Sequence, residues 1–504
     1  MKKTAVLLIV LFWIVSPIVE INGQAIEKVD FRNLVSAQML YNYVDTLSSD
    51  EFEGRLTGHI GYDKSAEWVI EKFKEWDVQP LGDDGNYLQH FPHPYTEIFP
   101  GCEVLMHVNG EEPNSYNYIE EFIPGSTSGN GEITDEVIYV GYGITAPELG
   151  YDDYTDVDVS GKIVLMEREV PVNTSHENFL DWRPYSFHQY KLLNAVEHGA
   201  AGMLYNYHIA NPNNAYSEGF IYSHIGKTVM ENIFDQTGEH PDSIVKQIKE
   251  KLQPRSFKTE KTFTIKNETR YHPDGVGSNV IGFIKGTDPV LKNEYIFVGG
   301  HLDHLGRCYE IMPGANDNAS GVSVTLGIAA ALAKSEIKLK RSVVFILMGA
   351  EEAELRGVQY FLKNPTISSR DNIKGYINMD AVGIGSKIHV GFAENYPVFY
   401  SYLENANQSL NFDLSGSHSS NIGRPRLDAA FFDWYGIPVL SINTHGESSS
   451  SGNYQYHTPF DDISNIEPEI MLNLAELLFH SIVVMANEDQ LNFNSGEVRE
   501  EFIK

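Results

Sequence analysis

The chain has 504 residues, 42% hydrophobic, 12% aromatic and 21% charged, a globular composition with more length than one hydrophobic core usually serves. Its formal net charge of −32 repels phosphate backbones and anionic headgroups, which argues against binding nucleic acid or a membrane surface. Only two cysteines are present, Cys102 and Cys308, so the chain is no disulfide scaffold, and two free thiols are expected.

The N-terminus reads MKKTAVLLIVLFWIVSPIVEINGQA: two lysines, an apolar run from Ala5 to Ile14, a proline, then Gly23 and Ala25. That is the order of a secretory signal peptide, and the run is short for a membrane span. Residues 1–25 are therefore expected to be a cleaved leader, leaving a secreted or periplasmic protein without stable membrane insertion. An uncleaved anchor is the alternative.

In DKSAEWVIEKFKEW, Ala66, Val69, Ile70, Phe73 and Trp76 recur at helical spacing and predict an amphipathic helix. From about Tyr116 the texture changes to short strand-like runs, VIYVGYGI, KIVLME and AGMLYNY, broken by Gly, Pro and Asn. After IKEKLQPRSFKTEK it returns to βα alternation: EYIFVGG, GVSVTLGIAAALAKSE, RSVVFILMGA, KGYINMDAVG and IPVLSIN. The fold expected is α/β, a mixed sheet flanked by helices, assembled from 26–115 and 265–504 and interrupted by a β-rich insertion at 116–264.

Open α/β sheets place their sites beyond the carboxyl ends of the strands. EYIFVGG runs into His301, Leu302, Asp303 and His304. PGANDNASG carries Asp317 just before a helix, RSVVFILMGA ends in Glu351 and Glu352, KGYINM ends in Asp380, and YQYHTPFDD carries His457. Singly, such residues are surface histidines, helix caps or dipole partners. Together on one rim, two histidines and three carboxylates make a ligand set suited to two zinc ions.

The motifs GGHLDHLG, PGANDNASG, AEEAELRG, NMD and YHTPFDD, in this order, resemble the di-zinc exopeptidases that include bacterial leucyl aminopeptidases, aminopeptidase Y and glutamate carboxypeptidases. DEFEGRLTG with the helix after it resembles that family's N-terminal segment. The stretch from YVGYGITAPELGYDDYTDVDVSGKIVL to AVEHGAAGMLYN resembles an inserted protease-associated (PA) domain. The resemblance implies a phosphorylase/hydrolase-like sandwich and two zinc ions bridged by Asp317. His301 and Asp380 would complete one metal site, and Glu352 and His457 the other. Asp303 would orient the His301 imidazole. Glu351 would bind no metal and serve as general base for the attacking water. Tyr456 stands where carboxypeptidase relatives place an oxyanion donor.

Departures bear on selectivity. Where many aminopeptidases read Ser-Asp-His, this chain reads RLDAAFFDWYGIP, keeping Asp428 as a substrate-binding candidate but offering Ala429 in place of His. Glu354 stands where the related motif has glycine and reads as a solvated acid. Arg424 and Arg426 could fork a substrate carboxylate, as a carboxypeptidase requires, or be plain surface charges. The sequon at Asn318 falls inside the metal loop, where glycosylation is not expected. The resemblance thus implies an exported zinc exopeptidase acting on peptides with free termini, an aminopeptidase in the first place. Carboxypeptidase, dipeptidase and glutaminyl cyclase activity are the alternatives, and a non-catalytic binding homologue comes last.

Overall fold

The computed structural model describes residues 20–21, 24–25, 29–108, 110–446 and 455–503. The expected leader lies outside the described residues, apart from the paired strands Glu20–Ile21 and Gln24–Ala25. So do residues 447–454, in the serine-rich stretch HGESSSSGNYQ that precedes His457 in sequence.

Nine strands build the sheet that carries the site: β1 (Gln79–Pro80), β2 (Leu88–Pro92), β3 (Val276–Ile284), β4 (Tyr295–His301), β5 (Ser342–Met348), β6 (Ile373–Met379), β7 (Lys387–Gly391), β8 (Asp413–Gly416) and β9 (Val439–His445). Across the sheet the order is β8-β7-β9-β6-β4-β5-β3, with β1 and β2 both antiparallel on the far side of β3. The centre, β9-β6-β4-β5, is parallel, whereas β3 and β7 run antiparallel to their central neighbours. Both faces of the centre are covered, which is why VVFILM and YIFVGG are nearly uninterrupted apolar or glycine runs, buried almost throughout.

The helices that matter here are α1 (Ala37–Leu47), α2 (Ile60–Glu75), α3 (Ser320–Lys334), α4 (Arg356–Lys363), α5 (Asp428–Trp434) and α6 (Pro468–Asn487). In α2, Ala66, Val69 and Phe73 are buried at the predicted spacing, and the His59 ring accepts the N–H of Gly61 at its start. Helices α1, α3 and α6 pack on one another, and α4 packs against α5. By composition α6 is apolar enough to cross a membrane, yet 78% of its most apolar stretch is buried, so it is a core helix. From β4 the chain crosses through α3 to β5 on one side, then returns through α4 to β6 on the other. Right-handed crossovers in opposite directions put the two helices on opposite faces and open a crevice beyond the carboxyl end of β4.

A second, eight-stranded sheet occupies residues 103–267 and has apolar clusters of its own. Its long strand Ser256–Asn267 pairs with Gly131–Val140 on one side and with Glu103–His107 on the other. The chain thus joins this sheet before Tyr116, with Val104 and Met106 buried at alternate positions of Glu103–His107. A small four-stranded sheet of Tyr95–Ile98, Thr269–His272, Arg307–Cys308 and Glu310–Ile311 lies along the seam. Cys102 and Cys308 are free and buried.

Candidate metal centre

Strand geometry collects the rim residues. His301 is the last residue of β4, Asp380 follows β6, Glu351 and Glu352 occupy the turn after β5, and Asp317 lies in the irregular turn Ala315–Ala319 that leads into α3. His457 arrives from the long connection after β9. His301 Nε2 lies 3.2 Å from Asp317 Oδ1 and 3.5 Å from Asp380 Oδ1. His457 Nε2 lies 3.4 Å from Asp317 Oδ2 and 3.0 Å from Glu352 Oε2. Asp317 therefore offers one oxygen to each half. Two groups of ligand atoms result, His301-Asp317-Asp380 and His304-Asp317-Glu352-His457, with the atoms of each within 4.8 Å of one another. All five expected ligands come together. They are joined by His304, whose Nδ1 is 2.8 Å from Glu352 Oε1 and 3.8 Å from Asp317 Oδ2.

Buried polar groups around the centre fix its shape. The Asp303 carboxylate accepts the backbone N–H groups of Glu351 at 3.2 Å and Glu352 at 3.3 Å. His301 Nδ1 lies closer to the Asp303 main-chain oxygen, at 3.1 Å, than to its carboxylate, at 3.7 Å. Asp303 thus fixes the glutamate turn with its side chain and the imidazole mainly with its backbone. Asp461 accepts the backbone N–H groups of Asn316 and Asp317, each at 3.0 Å, and so fixes the Asp317 turn. Asn318 is buried, donating to the Met379 oxygen and accepting the Gly321 N–H, so its sequon is internal.

Arg55, in the DEFEGR segment, is fully buried and donates to the carbonyl oxygens of Leu302 (2.9 Å), Leu47 (2.6 Å), Pro313 (2.7 Å) and Gly314 (2.8 Å). It ties the end of β4 to the Asp317 turn. Burial lowers its pKa to about 10, opposed by Asp317, Asp461, Asp303 and Glu352. Arg55→Met would strand these carbonyls and remove a cation from beneath the carboxylates. The expected destabilisation is about 3–5 kcal/mol, measured by urea unfolding of the zinc-free protein.

The electrostatics are those of a centre short of positive charge. Burial pushes the Glu351 carboxyl well above its usual range, and Asp428, Glu352 and Asp380 act the same way, against His301. Burial also raises Asp380, and raises Asp428 to about 8. Against their burial, His457 helps hold Glu352 down at about 2, and the imidazoles of His301 and His457 close beside it hold Asp317 well below its usual value. Burial would lower both imidazoles, but Glu351 on one side and Glu352 on the other help push them well up. A dication held among these groups would relieve the crowding of buried acids. The Nε2 atoms of His301, His304 and His457 are buried with no hydrogen-bond partner among the described residues. Unpartnered imidazole nitrogens facing shared carboxylate oxygens are a donor set that fits zinc.

Other candidates find their places. Asp428 opens α5, is buried beside this centre, and has neither carboxylate oxygen partnered among the described residues. Tyr456 is 44% exposed, with its ring stacked 3.7 Å from that of His457. Arg424 and Arg426 both reach Glu169, at 2.6 and 3.5 Å, so their charge is engaged across the seam. Glu354 pairs with Arg356 at 3.1 Å. Sequence reasoning gave no role to Arg55, His304 or Asp461. The last two stand next to assigned or quoted motif residues, in HLDH and TPFDD, and that proximity was their one signal.

Residues 279–482 match the family model described as Peptidase family M28. The leupeptin-inactivating enzyme 1 of Streptomyces exfoliatus is 27% identical over 234 residues, 44% of this chain and 49% of that protein. An aminopeptidase of Pseudomonas aeruginosa strain UCBPP-PA14 is 26% identical over 328 residues, 64% of this chain and 53% of that protein. The chain spans about half the length of the curated relatives it matches. Among solved structures, the aminopeptidase from Aneurinibacillus sp. strain AM-1 superposes with a TM-score of 0.62 at 22% identity, over 93% of this chain and 98% of that one. BSAP, a zinc aminopeptidase from Bacillus subtilis, superposes with 0.60 at 19% identity, over 92% and 98%. These likenesses establish the mixed α/β fold.

Proposed function

Taking as premise that residues 279–482 form a peptidase family M28 domain, we propose that the chain is an exported, zinc-dependent aminopeptidase that removes residues from the N-termini of peptides. The observation that carries this reading is the set of buried, unpartnered histidine nitrogens aimed at carboxylates that share Asp317, with Glu351 beside them. The donor set fits two zinc ions: His301, Asp317 and Asp380 would hold one, and Asp317, Glu352 and His457 the other. When bound, zinc supplies Lewis acidity and water of lowered pKa.

The chain's own groups do the rest. Glu351 takes the proton of the attacking water at its carboxylate and returns it to the departing amine. Asp303 keeps that carboxylate in place through the turn amides. The unpartnered Asp428 carboxylate and the surrounding acids suit a substrate ammonium. Tyr456, whose ring stacks on that of His457, donates its O–H to the oxyanion in this reading. Glu169 engages Arg424 at 2.6 Å and Arg426 at 3.5 Å, which favours the aminopeptidase reading over one that needs both as a carboxylate fork. We assign residues 1–25 to a cleaved leader and the second sheet to a PA-type insertion, taking in the strand Glu103–His107 as well as 116–264.

The test is a peptide beginning with Gln, offered to the zinc-loaded protein in free, N-acetylated and C-amidated forms and followed by mass. Stepwise loss from the N-terminus, blocked by acetylation and indifferent to amidation, is expected. Loss from the C-terminus, or loss of ammonia alone, would overturn the reading.

A further inference from the structure

The two halves of the centre differ in where their histidines find support. His301 Nδ1 is met from its own segment, by the main-chain oxygen of Asp303 at 3.1 Å. His457 Nδ1 is met 247 positions away, by the carbonyl oxygen of Ala210 at 2.6 Å. Ala210 belongs to the segment that follows the strand Gly202–Asn206 of the second sheet. A neutral imidazole that presents Nε2 as a ligand carries its proton on Nδ1 and needs an acceptor there. Such partners fix the tautomer and the orientation of the ring.

The same segment reaches the glutamate turn. Asn213 Oδ1 accepts the backbone N–H of Glu354 at 2.8 Å, two residues beyond Glu352. The Asn211 side chain accepts from Asn213 N at 3.1 Å and from Asn213 Nδ2 at 3.0 Å, which braces the segment internally. Asn214 donates to the Tyr222 hydroxyl at 3.2 Å, anchoring it to the next strand of the second sheet. Ala210 is fully buried in a small cluster with Ile123, Leu305, Cys308 and Met312, drawn from both sides of the seam.

We propose that residues 210–214 are a positioning element of the metal centre, so that the His457-Glu352 half binds its metal only with the second sheet docked, while the His301-Asp380 half stands without it. The insertion is then part of the machinery and more than a cover over the cleft. This inference rests on the zinc reading above.

The experiment uses the full chain and zinc itself, counting zinc per chain against buffered free zinc. Variants are Asn211→Ala, Asn213→Ala and the pair, with His457→Ala as reference and the same pair on the His457→Ala background. The wild type should take up two zinc ions. The paired variant should weaken one of them by about 10–100-fold, the usual effect of losing a ligand's supporting partner, and leave the other unchanged. On the His457→Ala background the pair should change nothing further. The zinc-free paired variant should still melt in one cooperative transition, so that weaker zinc binding is not loss of the fold. Two zinc ions held at wild-type affinity in the paired variant, or both weakened alike, would overturn the proposal. A wild type that takes up no zinc would sink the zinc reading itself, and this inference with it.

Discussion

Glu351→Gln is expected to lower kcat by about 10²–10⁴-fold, the range for a lost general base, while the protein still binds two zinc ions and melts as the wild type does. The substitution keeps the shape of the side chain and removes only its capacity to take a proton. Glu351 is 8% exposed, and burial together with Asp428, Glu352 and Asp380 raises its affinity for that proton. Its backbone N–H is held by Asp303, so the amide should stay where the carboxylate was. Wild-type turnover in this variant would remove Glu351 from the mechanism. A matching loss of zinc would make it a ligand instead.

The second large effect is expected at Asp317. Asp317→Ala removes a side chain that faces both histidines, with His301 at 3.2 Å and His457 at 3.4 Å. Zinc content should fall below one ion per chain at concentrations that saturate the wild type. Turnover should drop by at least about 10³-fold, the upper figure for losing a single electrostatic stabiliser, because both halves are affected. Zinc counting and peptide turnover on the same preparation check it. Retention of two ions would show that the halves do not share Asp317. The contrast with Glu351→Gln is the useful part, since one variant should lose chemistry with metal in place and the other should lose the metal.

Much of this centre was legible because the ligands sit where local pattern changes. An apolar or glycine-rich strand that stops at a histidine or an acid can be read from neighbouring residues, and His301, Glu351, Glu352 and Asp380 all stand at such stops. Asp317 announces itself by preceding the small-residue helix α3. What escaped is support that comes from far away in the chain. Arg55 serves carbonyls at Leu302, Pro313 and Gly314 from a segment about 250 positions earlier, and nothing around DEFEGR marks a cation as buried. Ala210 acts through its backbone oxygen, which carries no residue-type signal at all. The start of the second sheet was missed for a related reason. EVLMH is a short alternating run that would suit either sheet, and only its pairing with Ser256–Asn267 decides.

The buried helix α6 has a consequence for how the chain is made. It packs against α1 and α3, two elements synthesised long before it. Until the ribosome has passed residue 487, the apolar flank of α1 and α3 has no cover, and the first domain to emerge cannot close. Contacts of such sequence separation form late and slowly. The three helices can therefore pack together only when nearly the whole chain has been made.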